Sequence, residues 1–200
     1  MITTDVVIGA RMRELIYFVA VTLDGYIAGP QGEYDAFLME GDHMAPLMGR
    51  FADTLPTDFA QAHGVSQTRE LVDTVLMGWN TYAVGGVPSP YRHLRQIVFS
   101  RSRTAHADSL EVTASDPREV VRGLKEEEGA GIWLCGGGAL AADLAPEIDR
   151  LILKRHPVLF GRGIPLFEAH SYLPERFALV ENTVFDSGVM FSEFVRVREG

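Results

Sequence analysis

The sequence predicts an α/β fold in which a mostly parallel sheet, flanked by helices, ends in an antiparallel hairpin. Two segments, 73–78 and 131–138, each predict an apolar strand that enters a helix through glycine, as crossover units of a parallel sheet do. Residues 177–185 and 189–198 instead alternate around Asp186-Ser187-Gly188, a turn sequence that favours an antiparallel hairpin. The two patterns together place the chain in the α/β class.

The N-terminal half supplies the first strand. A near-continuous apolar run from Leu15 to Val21, rich in β-branched and aromatic residues, predicts a central buried strand. A glycine-punctuated loop follows over 22–30, and one or two helices interrupted by prolines are expected within 40–70. Further strands are predicted at 95–100, 110–114 and 149–156.

The helix that follows residue 116 has the clearest boundaries. Asp116 is its predicted N-cap, Pro117 lies in the first turn, Glu119 has the spacing of a capping box, and Gly129 ends the helix. The helix after the glycine triplet then leads into the strand at 149–156 and closes a βαβ unit. We expect one domain over residues 14–200, preceded by an N-terminal extension over residues 1–13.

Composition excludes several classes of protein. Of 200 residues, 46% are hydrophobic, enough for an ordinary core, and the formal net charge of −9 argues against nucleic acid as a partner. No apolar stretch is long enough to span a membrane, and the N-terminus lacks the pattern of a signal peptide. The single Cys135 and the widely spaced histidines predict no metal site, and a cytoplasmic protein is expected.

Three strand ends carry residues that suit an anionic ligand. Gly136-Gly137-Gly138 lets the backbone approach a phosphate closely at a helix start. The segment from Gly78 to Thr81 offers a second glycine with amide and hydroxyl groups, and the strand ending at Ser100 is followed by Arg101 and Arg103. Because ligands of open α/β sheets bind at the carboxyl ends of strands, these three sites predict one phosphate-bearing ligand.

Five motifs, taken in order, resemble a known family. They are Leu23-Asp24-Gly25-Tyr26-Ile27-Ala28, Met77-Gly78 with Thr81-Tyr82, Val98-Phe99-Ser100-Arg101, the glycine triplet, and the segment from Pro157 to Phe167. Their order and spacing are similar to those of the dihydrofolate reductase-like superfamily, closest to the C-terminal (pyrimidine reductase) domain of the riboflavin biosynthesis protein RibD. The resemblance covers residues 14 to 198.

The resemblance implies an NADPH-dependent reductase with a sheet of about eight strands. Ala20 and Ile27 would border the nicotinamide, while Ser100 and Arg101 would lie near the adenosine 2′-phosphate. The pyrophosphate would lie between the two glycine segments. The implied cofactor contacts are therefore Ala20, Ile27, Gly78, Trp79, Asn80, Thr81, Ser100, Arg101, Gly136, Gly137, Gly138, Ala139 and Leu140.

The sequence departs from the family pattern at two places. Trp79 stands where the family often has a basic residue that meets the 2′-phosphate, so preference for NADPH would depend on Arg101 and Arg103. Trp79 itself would stack on adenine or pack in the core. In addition, the carboxylate that folate-reducing members carry on their first helix has no unambiguous counterpart, and the zinc-deaminase signature is absent from the sequence.

Asp24 and Asp35 are the candidate catalytic carboxylates. Asp24 ends the central strand, where it would bind substrate or deliver a proton, or would instead stabilise the loop as an Asx turn. Asp35 follows in the next loop, where a solvated carboxylate is the competing interpretation. Cys135 and His156 are expected to be structural.

The function predicted from these residues is hydride transfer from NADPH to a C=N or C=O bond of a small pterin- or aminopyrimidine-like substrate. The proton would come from a carboxylic acid or an ordered water. The alternative is a nucleotide-binding or regulatory protein that keeps the cofactor site without the chemistry. A homodimer is expected, because reductase domains of this type commonly pair through sheet edges or the C-terminal hairpin.

Overall fold

The computed structural model describes residues 12–168, 172 and 174–198. Its strands are β1 (Leu15–Val21), β2 (Tyr26–Ala28), β3 (Val72–Gly78), β4 (Arg95–Phe99), β5 (Leu110–Thr113), β6 (Gly131–Gly136), β7 (Arg150–Arg155), β8 (Ile164–Pro165), β9 (Phe177–Val184) and β10 (Met190–Arg196). Its helices are α1 (Met44–Met48), α2 (Thr57–Ala62), α3 (Trp79–Val84), α4 (Pro117–Glu126) and α5 (Gly138–Leu144), with 3-10 turns at Ala52–Thr54 and Ala145–Glu147.

Within the described residues, eight strands form one sheet in the order β5-β4-β3-β6-β1-β7-β10-β9. The six strands from β5 to β7 are parallel, and β10 and β9 follow as antiparallel neighbours. The predicted mostly parallel sheet with a C-terminal hairpin is thereby confirmed. Because β3, β6 and β1 lie at the centre, their carboxyl ends meet at the middle of one edge.

Helices cover both faces of the sheet and give it two cores. On one face, Phe18, Met77 and Trp133 pack against residues of α1, α2 and α3, and we call this the first core. On the other face, Tyr17 and Leu134 pack against α4 and α5, and we call this the second core. The period of two along each strand explains the division, since neighbouring residues point to opposite faces.

The predicted N-cap of α4 is confirmed. The side chain of Asp116 accepts hydrogen bonds from the backbone N–H groups of Arg118, at 2.8 Å, and Glu119, at 3.2 Å. These bonds satisfy two of the donors that a helix start leaves free, and Pro117 needs no such partner. The local sequence therefore determines where α4 begins.

A small second sheet was not predicted from the sequence. Strands β2 and β8 pair antiparallel, with Tyr26 opposite Pro165 and Ala28 opposite Ile164. β8 has two residues, one of them proline, which is too short to show an alternating pattern. A Cβ at Gly163 would clash with the carbonyl oxygen of Ala28, so this pairing needs glycine there.

The last residue of the predicted extension, Arg13, is buried. Its side chain donates hydrogen bonds to the Thr74 hydroxyl of β3 and to the Ala130 oxygen just before β6. Residues 1–11 of the extension lie outside the described residues. The domain limits of 14 and 200 stay a prediction.

No helix in the described part of the chain is long and apolar enough to cross a membrane.

Candidate functional site

The carboxyl ends of β3 and β6 form a cradle in which two backbones approach each other closely. A Cβ built on Gly78 would lie 3.7 Å from the nitrogen of Gly137 and 3.9 Å from the oxygen of Gly136. A Cβ on Gly137 would lie 3.3 Å from the hydroxyl oxygen of Thr81. We call Gly78, Thr81, Gly136 and Gly137 the glycine cradle; it unites two segments that are 55 residues apart or more in the sequence.

Ile27 and Thr81 complete the walls of the cradle. A Cβ on Gly136 would lie 3.7 Å from Thr81 Oγ1 and 3.9 Å from Ile27 Cδ1. The Thr81 hydroxyl has no hydrogen-bond partner among the residues that the structure describes. An unpaired hydroxyl beside the partly exposed backbone of Gly78 and Gly137 is suited to bind a phosphate oxygen, since both offer hydrogen-bond donors without side-chain bulk.

The last part of the glycine triplet has a structural role. A Cβ on Gly138 would clash with the carbonyl oxygen of Pro165, and the Gly138 carbonyl accepts a hydrogen bond from the N–H of Glu168 at 3.1 Å. Leu140 is buried in the second core, while Ala139 is exposed. Of the predicted contacts on α5, only backbone groups and Ala139 can therefore face a ligand.

Ser100 and Arg101 follow β4, the neighbour of β3. Phe99 at the end of β4 is in register with Gly78, so these two residues lie beside the glycine cradle. The Ser100 hydroxyl accepts a hydrogen bond from the N–H of Arg103 at 2.9 Å, which folds the segment into a turn. The guanidinium of Arg101 is exposed and has no ion-pair partner in the described part of the chain.

Trp79 packs rather than stands free. Its ring meets Tyr82 edge to face with centroids 5.4 Å apart, and it lies against the first core. This contact favours the packing interpretation of Trp79 over adenine stacking. Asn80, the next residue, is exposed beside the cradle in the first turn of α3.

The Asp24 side chain stabilises the loop that contains Phe160 and Gly161. Its carboxylate accepts hydrogen bonds from the N–H groups of Gly161, at 2.7 Å, and Phe160, at 3.2 Å, and from the Thr22 hydroxyl at 2.5 Å. The Thr22 bond is the main cause that lowers the pKa of Asp24 below its ordinary value. These contacts favour a loop-stabilising role, because an ionised, fully engaged carboxylate is a poor proton donor.

Asp35 and Ala20 are further residues predicted for the region of hydride transfer. Asp35 is exposed in the loop after β2, and no hydrogen bond or ion pair of its side chain is seen among the described residues. Ala20, near the end of β1, is in register with Lys154 of β7. The structure thus unites the predicted cofactor contacts around β3 and β6 and places a lysine, not Asp35, in register with Ala20.

Lys154, a charged residue on the first-core face, was not predicted from the sequence as a site residue. Lys154 ends the apolar run of β7, and its Nζ lies 5.9 Å from the centre of the Phe18 ring. On the same face the Tyr91 hydroxyl lies 4.0 Å from the Cys135 sulfur. Burial raises the pKa of Cys135 to about 12 and that of Tyr91 well above its ordinary value, so both stay protonated. The signal in the sequence was a lysine at a core-facing position of a strand.

His156 is a further buried titratable residue near Lys154. It is 1% exposed; its Nδ1 accepts a hydrogen bond from the N–H of Leu38 at 3.1 Å, and its Nε2 has no partner. Its ring packs on Phe37 with centroids 4.8 Å apart and lies 5.8 Å from the ring of His43. Burial, followed by the charge of Lys154, lowers the pKa of His156 to about 4, so the ring is neutral at physiological pH.

The residues that the structure describes contain no group of three or more His, Cys, Asp or Glu placed to hold a metal ion.

Similar proteins match this sequence over most of its length. The family model described as the RibD C-terminal domain matches residues 13–191. The uncharacterized protein YwjB of Bacillus subtilis is 32% identical over 164 residues, which cover 78% of this chain and 83% of that protein. The uncharacterized protein YyaP of the same organism is 32% identical over 173 residues, with coverage of 78% and 81%.

Three solved structures resemble the fold. A Shewanella sp. PV-4 protein named for riboflavin biosynthesis has a TM-score of 0.68 at 21% identity, with 92% of this chain and 99% of that chain covered. A Thermotoga maritima diaminohydroxyphosphoribosylaminopyrimidine deaminase/5-amino-6-(5-phosphoribosylamino)uracil reductase has 0.61 at 16%, covering 93% and 57%. Dihydrofolate reductase from Enterococcus faecalis, complexed with NADP(H), has 0.56 at 18%, covering 92% and 96%.

At these identities the solved structures show the fold, which is dihydrofolate reductase-like, and the family model carries the assignment. Its match spans β1 to the start of β10 and includes the whole glycine cradle. The resemblance found in the sequence motifs is confirmed. The chain belongs to the RibD C-terminal domain family.

Proposed function

We propose that the protein is an NADPH-dependent reductase that reduces a C=N or C=O bond of a small heterocyclic substrate, pterin- or aminopyrimidine-like. The observation that carries the proposal is the glycine cradle between β3 and β6. Two backbones and the Thr81 hydroxyl there leave a gap that any Cβ on Gly78 or Gly137 would fill. Such a gap, in which the Gly137 N–H and the Thr81 hydroxyl are available as donors beside the Gly136 carbonyl oxygen, fits a pyrophosphate.

Different residues around the cradle would bind different parts of the dinucleotide. Gly78, Asn80 and Thr81 would hold the pyrophosphate from one side, and the backbone from Gly136 to Ala139 would hold it from the other. Ser100 and Arg101, one register position beyond Gly78, would bind the 2′-phosphate. A guanidinium without a protein partner suits this role, since it can form two parallel hydrogen bonds to a dianion.

The nicotinamide end would lie toward β1. Ile27 contacts the Gly136 side of the cradle, and the small side chain of Ala20 leaves room beside it at the centre of the sheet. NADPH, when bound, supplies the hydride. The protein would hold the acceptor carbon close to it and exclude water, which is how positioning lowers the barrier of such a reaction.

The substrate class is supported by the names of similar proteins. Two of the solved structures are named as reductases of a pterin and of a ribosylaminopyrimidine, and both substrates are planar nitrogen heterocycles. On the first-core side of this edge, the exposed Tyr34 lies near Tyr91. An exposed aromatic ring favours a flat heterocycle through stacking.

A titration with NADPH and with NADH, followed by tryptophan fluorescence (Trp79 and Trp133), tests the proposal. We expect wild type to bind NADPH more tightly than NADH. Arg101→Ala should weaken NADPH binding by about tenfold or more, since a charge-assisted hydrogen bond contributes roughly 1.5–3 kcal/mol, and should leave NADH binding unchanged. Arg176→Ala is the matched control: that arginine is also exposed, but precedes β9 at the opposite edge of the sheet.

The outcomes separate the candidate functions. If wild type binds neither nucleotide, the reductase proposal fails. If NADPH binds but is not oxidised by 7,8-dihydrofolate or by a ribosylaminopyrimidine phosphate, the non-catalytic nucleotide-binding alternative is favoured. Equal losses in Arg101→Ala and Arg176→Ala would remove the assignment of the 2′-phosphate site.

A further inference from the structure

Lys154 occupies the row of the sheet that faces the expected hydride site. It is in register with Ala20 on one side and with Phe191 on the other, and Phe191 belongs to the first core. Laterally paired residues of neighbouring strands point to the same face. The position of Nζ over the Phe18 ring confirms that the side chain lies on that face.

The ammonium group has no counter-charge. No carboxylate of the described residues forms an ion pair with Lys154, and its side chain keeps an intermediate exposure. Glu193, the carboxylate that β10 presents on this face, is held by Arg50 at 2.5 Å and also by Arg150. Lys154 is therefore a largely buried cation with no ion-pair partner among the described residues, an arrangement that is costly unless a ligand completes it.

The second lysine of the chain shows the contrast. Lys125 is one of only two lysines in the sequence, and its Nζ lies 2.6 Å from Asp149 Oδ2 and 2.7 Å from the Glu147 oxygen. Both lysine side chains are mainly surrounded by protein, yet one is fully paired and the other is not. The unpaired lysine is the one that lies at the carboxyl edge of the sheet.

Three other titratable residues on this side of the sheet are poor proton donors near neutral pH. Cys135 on β6 and Tyr91 behind it have raised pKa values and hold their protons, while His156 on the same chain segment is neutral. Burial lowers the pKa of Lys154 to about 8, so its ammonium can release a proton near neutral pH. Asp24, in contrast, has a lowered pKa and is engaged with its loop.

We propose that Lys154 is the proton donor of the reduction, an inference that rests on the proposed function. As the acceptor carbon gains its new C–H bond, the electron pair of the C=N or C=O bond moves to the nitrogen or oxygen. That atom takes a proton from Lys154 Nζ, the N–H bond of the ammonium breaks, and the neutral amine recovers a proton from solvent. The substrate is reduced, NADPH is oxidised, and the charges balance.

NMR of protein labelled with [13Cε]lysine tests the placement without any substrate. Only two lysine signals are expected, and Lys154→Met assigns them. Because NADP+ carries a positive charge on its nicotinamide and NADPH does not, NADP+ should lower the pKa of Lys154 by about half a unit or more relative to NADPH. The Lys125 signal is the internal control and should titrate alike in both complexes.

The outcomes of this titration are distinct. If both nucleotides bind and the pKa of Lys154 is the same in the two complexes, Lys154 is not beside the nicotinamide and the inference is overturned while the proposed function stands. If neither nucleotide binds, the proposed function fails and the inference fails with it. A Lys154 signal that titrates only above about 10, as an ordinary lysine does, also overturns the inference.

Two variants separate proton donation from charge alone. With an acceptor that wild type reduces, Lys154→Met should lower kcat by about 100-fold or more and leave the Kd for NADPH within about twofold. Lys154→Arg keeps the charge, but a guanidinium does not release its proton, so the rate should stay low. Full activity in Lys154→Arg would overturn proton donation by this residue.

Discussion

The two edges of the parallel sheet differ in whether their basic side chains form ion pairs within the protein. At the amino edge, Arg13 is paired with Asp73, and Asp149 binds both Lys125 at 2.6 Å and Arg198 at 2.5 Å. At the carboxyl edge, Arg101, Arg103 and Lys154 form no ion pair with any described residue. Both edges belong to the same sheet and are covered by the same two cores. The difference in ion pairing is therefore not explained by packing of the sheet.

The difference indicates that the amino edge serves stability and the carboxyl edge serves a ligand. A cation that is paired within the protein is already satisfied and has little to offer a phosphate. Unpaired cations at the edge that also carries the glycine cradle raise the free energy of the empty site and lower that of the complex. Substitutions at the two edges should therefore act on different measurements, and three predictions follow this contrast.

The largest effect on stability is expected at Arg13. Its side chain is nearly buried, and besides the Asp73 carboxylate it binds the Ala130 oxygen at 2.7 Å and the Thr74 hydroxyl at 2.9 Å. Arg13→Ala should lower the free energy of unfolding by about 3–5 kcal/mol, because it leaves a partly buried carboxylate without its partner. Arg101→Ala should change it by less than about 0.5 kcal/mol. Urea unfolding of both variants measures the contrast, and equal losses would contradict it.

The second prediction concerns acid stability at the carboxyl edge. The pKa of His156 is lowered from 6.5 to about 4, so the unfolded chain binds more protons than the folded protein between these values. The stability that the neutral ring supports is present above about pH 6.5 and is lost as pH falls through 4, up to about 3 kcal/mol.

His156→Asn isolates this contribution. The Asn side-chain oxygen can replace Nδ1 as the acceptor for the N–H of Leu38, but it does not titrate. Between about pH 7.5 and about pH 4, wild type should lose about 3 kcal/mol more than the variant in urea unfolding. Parallel pH profiles in the two proteins would show that the ring is not held neutral by the fold.

The contrast between the edges also explains what the sequence could predict. The long elements were predictable because period-two strands such as β9 and β10 and a capped helix such as α4 are specified locally. The cradle was predictable as two glycine segments, and the family motifs joined them. The β2–β8 pair and the place of Lys154 beside Ala20 were not, since both depend on strand order. Asp24 was ambiguous for the same reason: besides the neighbouring Thr22 hydroxyl, its partners are the N–H groups of Phe160 and Gly161, which lie 136 and 137 residues away.

The last prediction compares two glycines of the carboxyl edge itself. Gly138→Ala should lower the free energy of unfolding by about 2 kcal/mol, because the new Cβ would clash with the Pro165 carbonyl oxygen and push α5 away from β8. Gly78→Ala should change it by less than about 1 kcal/mol: its φ of −71° suits alanine and its new Cβ would meet Gly137 N at an ordinary 3.7 Å.

For NADPH affinity, the order should reverse: Gly78→Ala should have a larger effect than Gly138→Ala. The Cβ of Gly78→Ala would occupy the gap between the two backbones of the cradle, so the affinity for NADPH should fall by about tenfold or more in a protein that is still fully folded. Gly138→Ala, measured at a temperature where it is folded, should lose less affinity, because its Cβ faces β8 and not the gap. Unfolding and NADPH titrations on the same preparations check both halves. If Gly78→Ala binds NADPH as wild type does, the gap between β3 and β6 is a packing feature and not a pyrophosphate site.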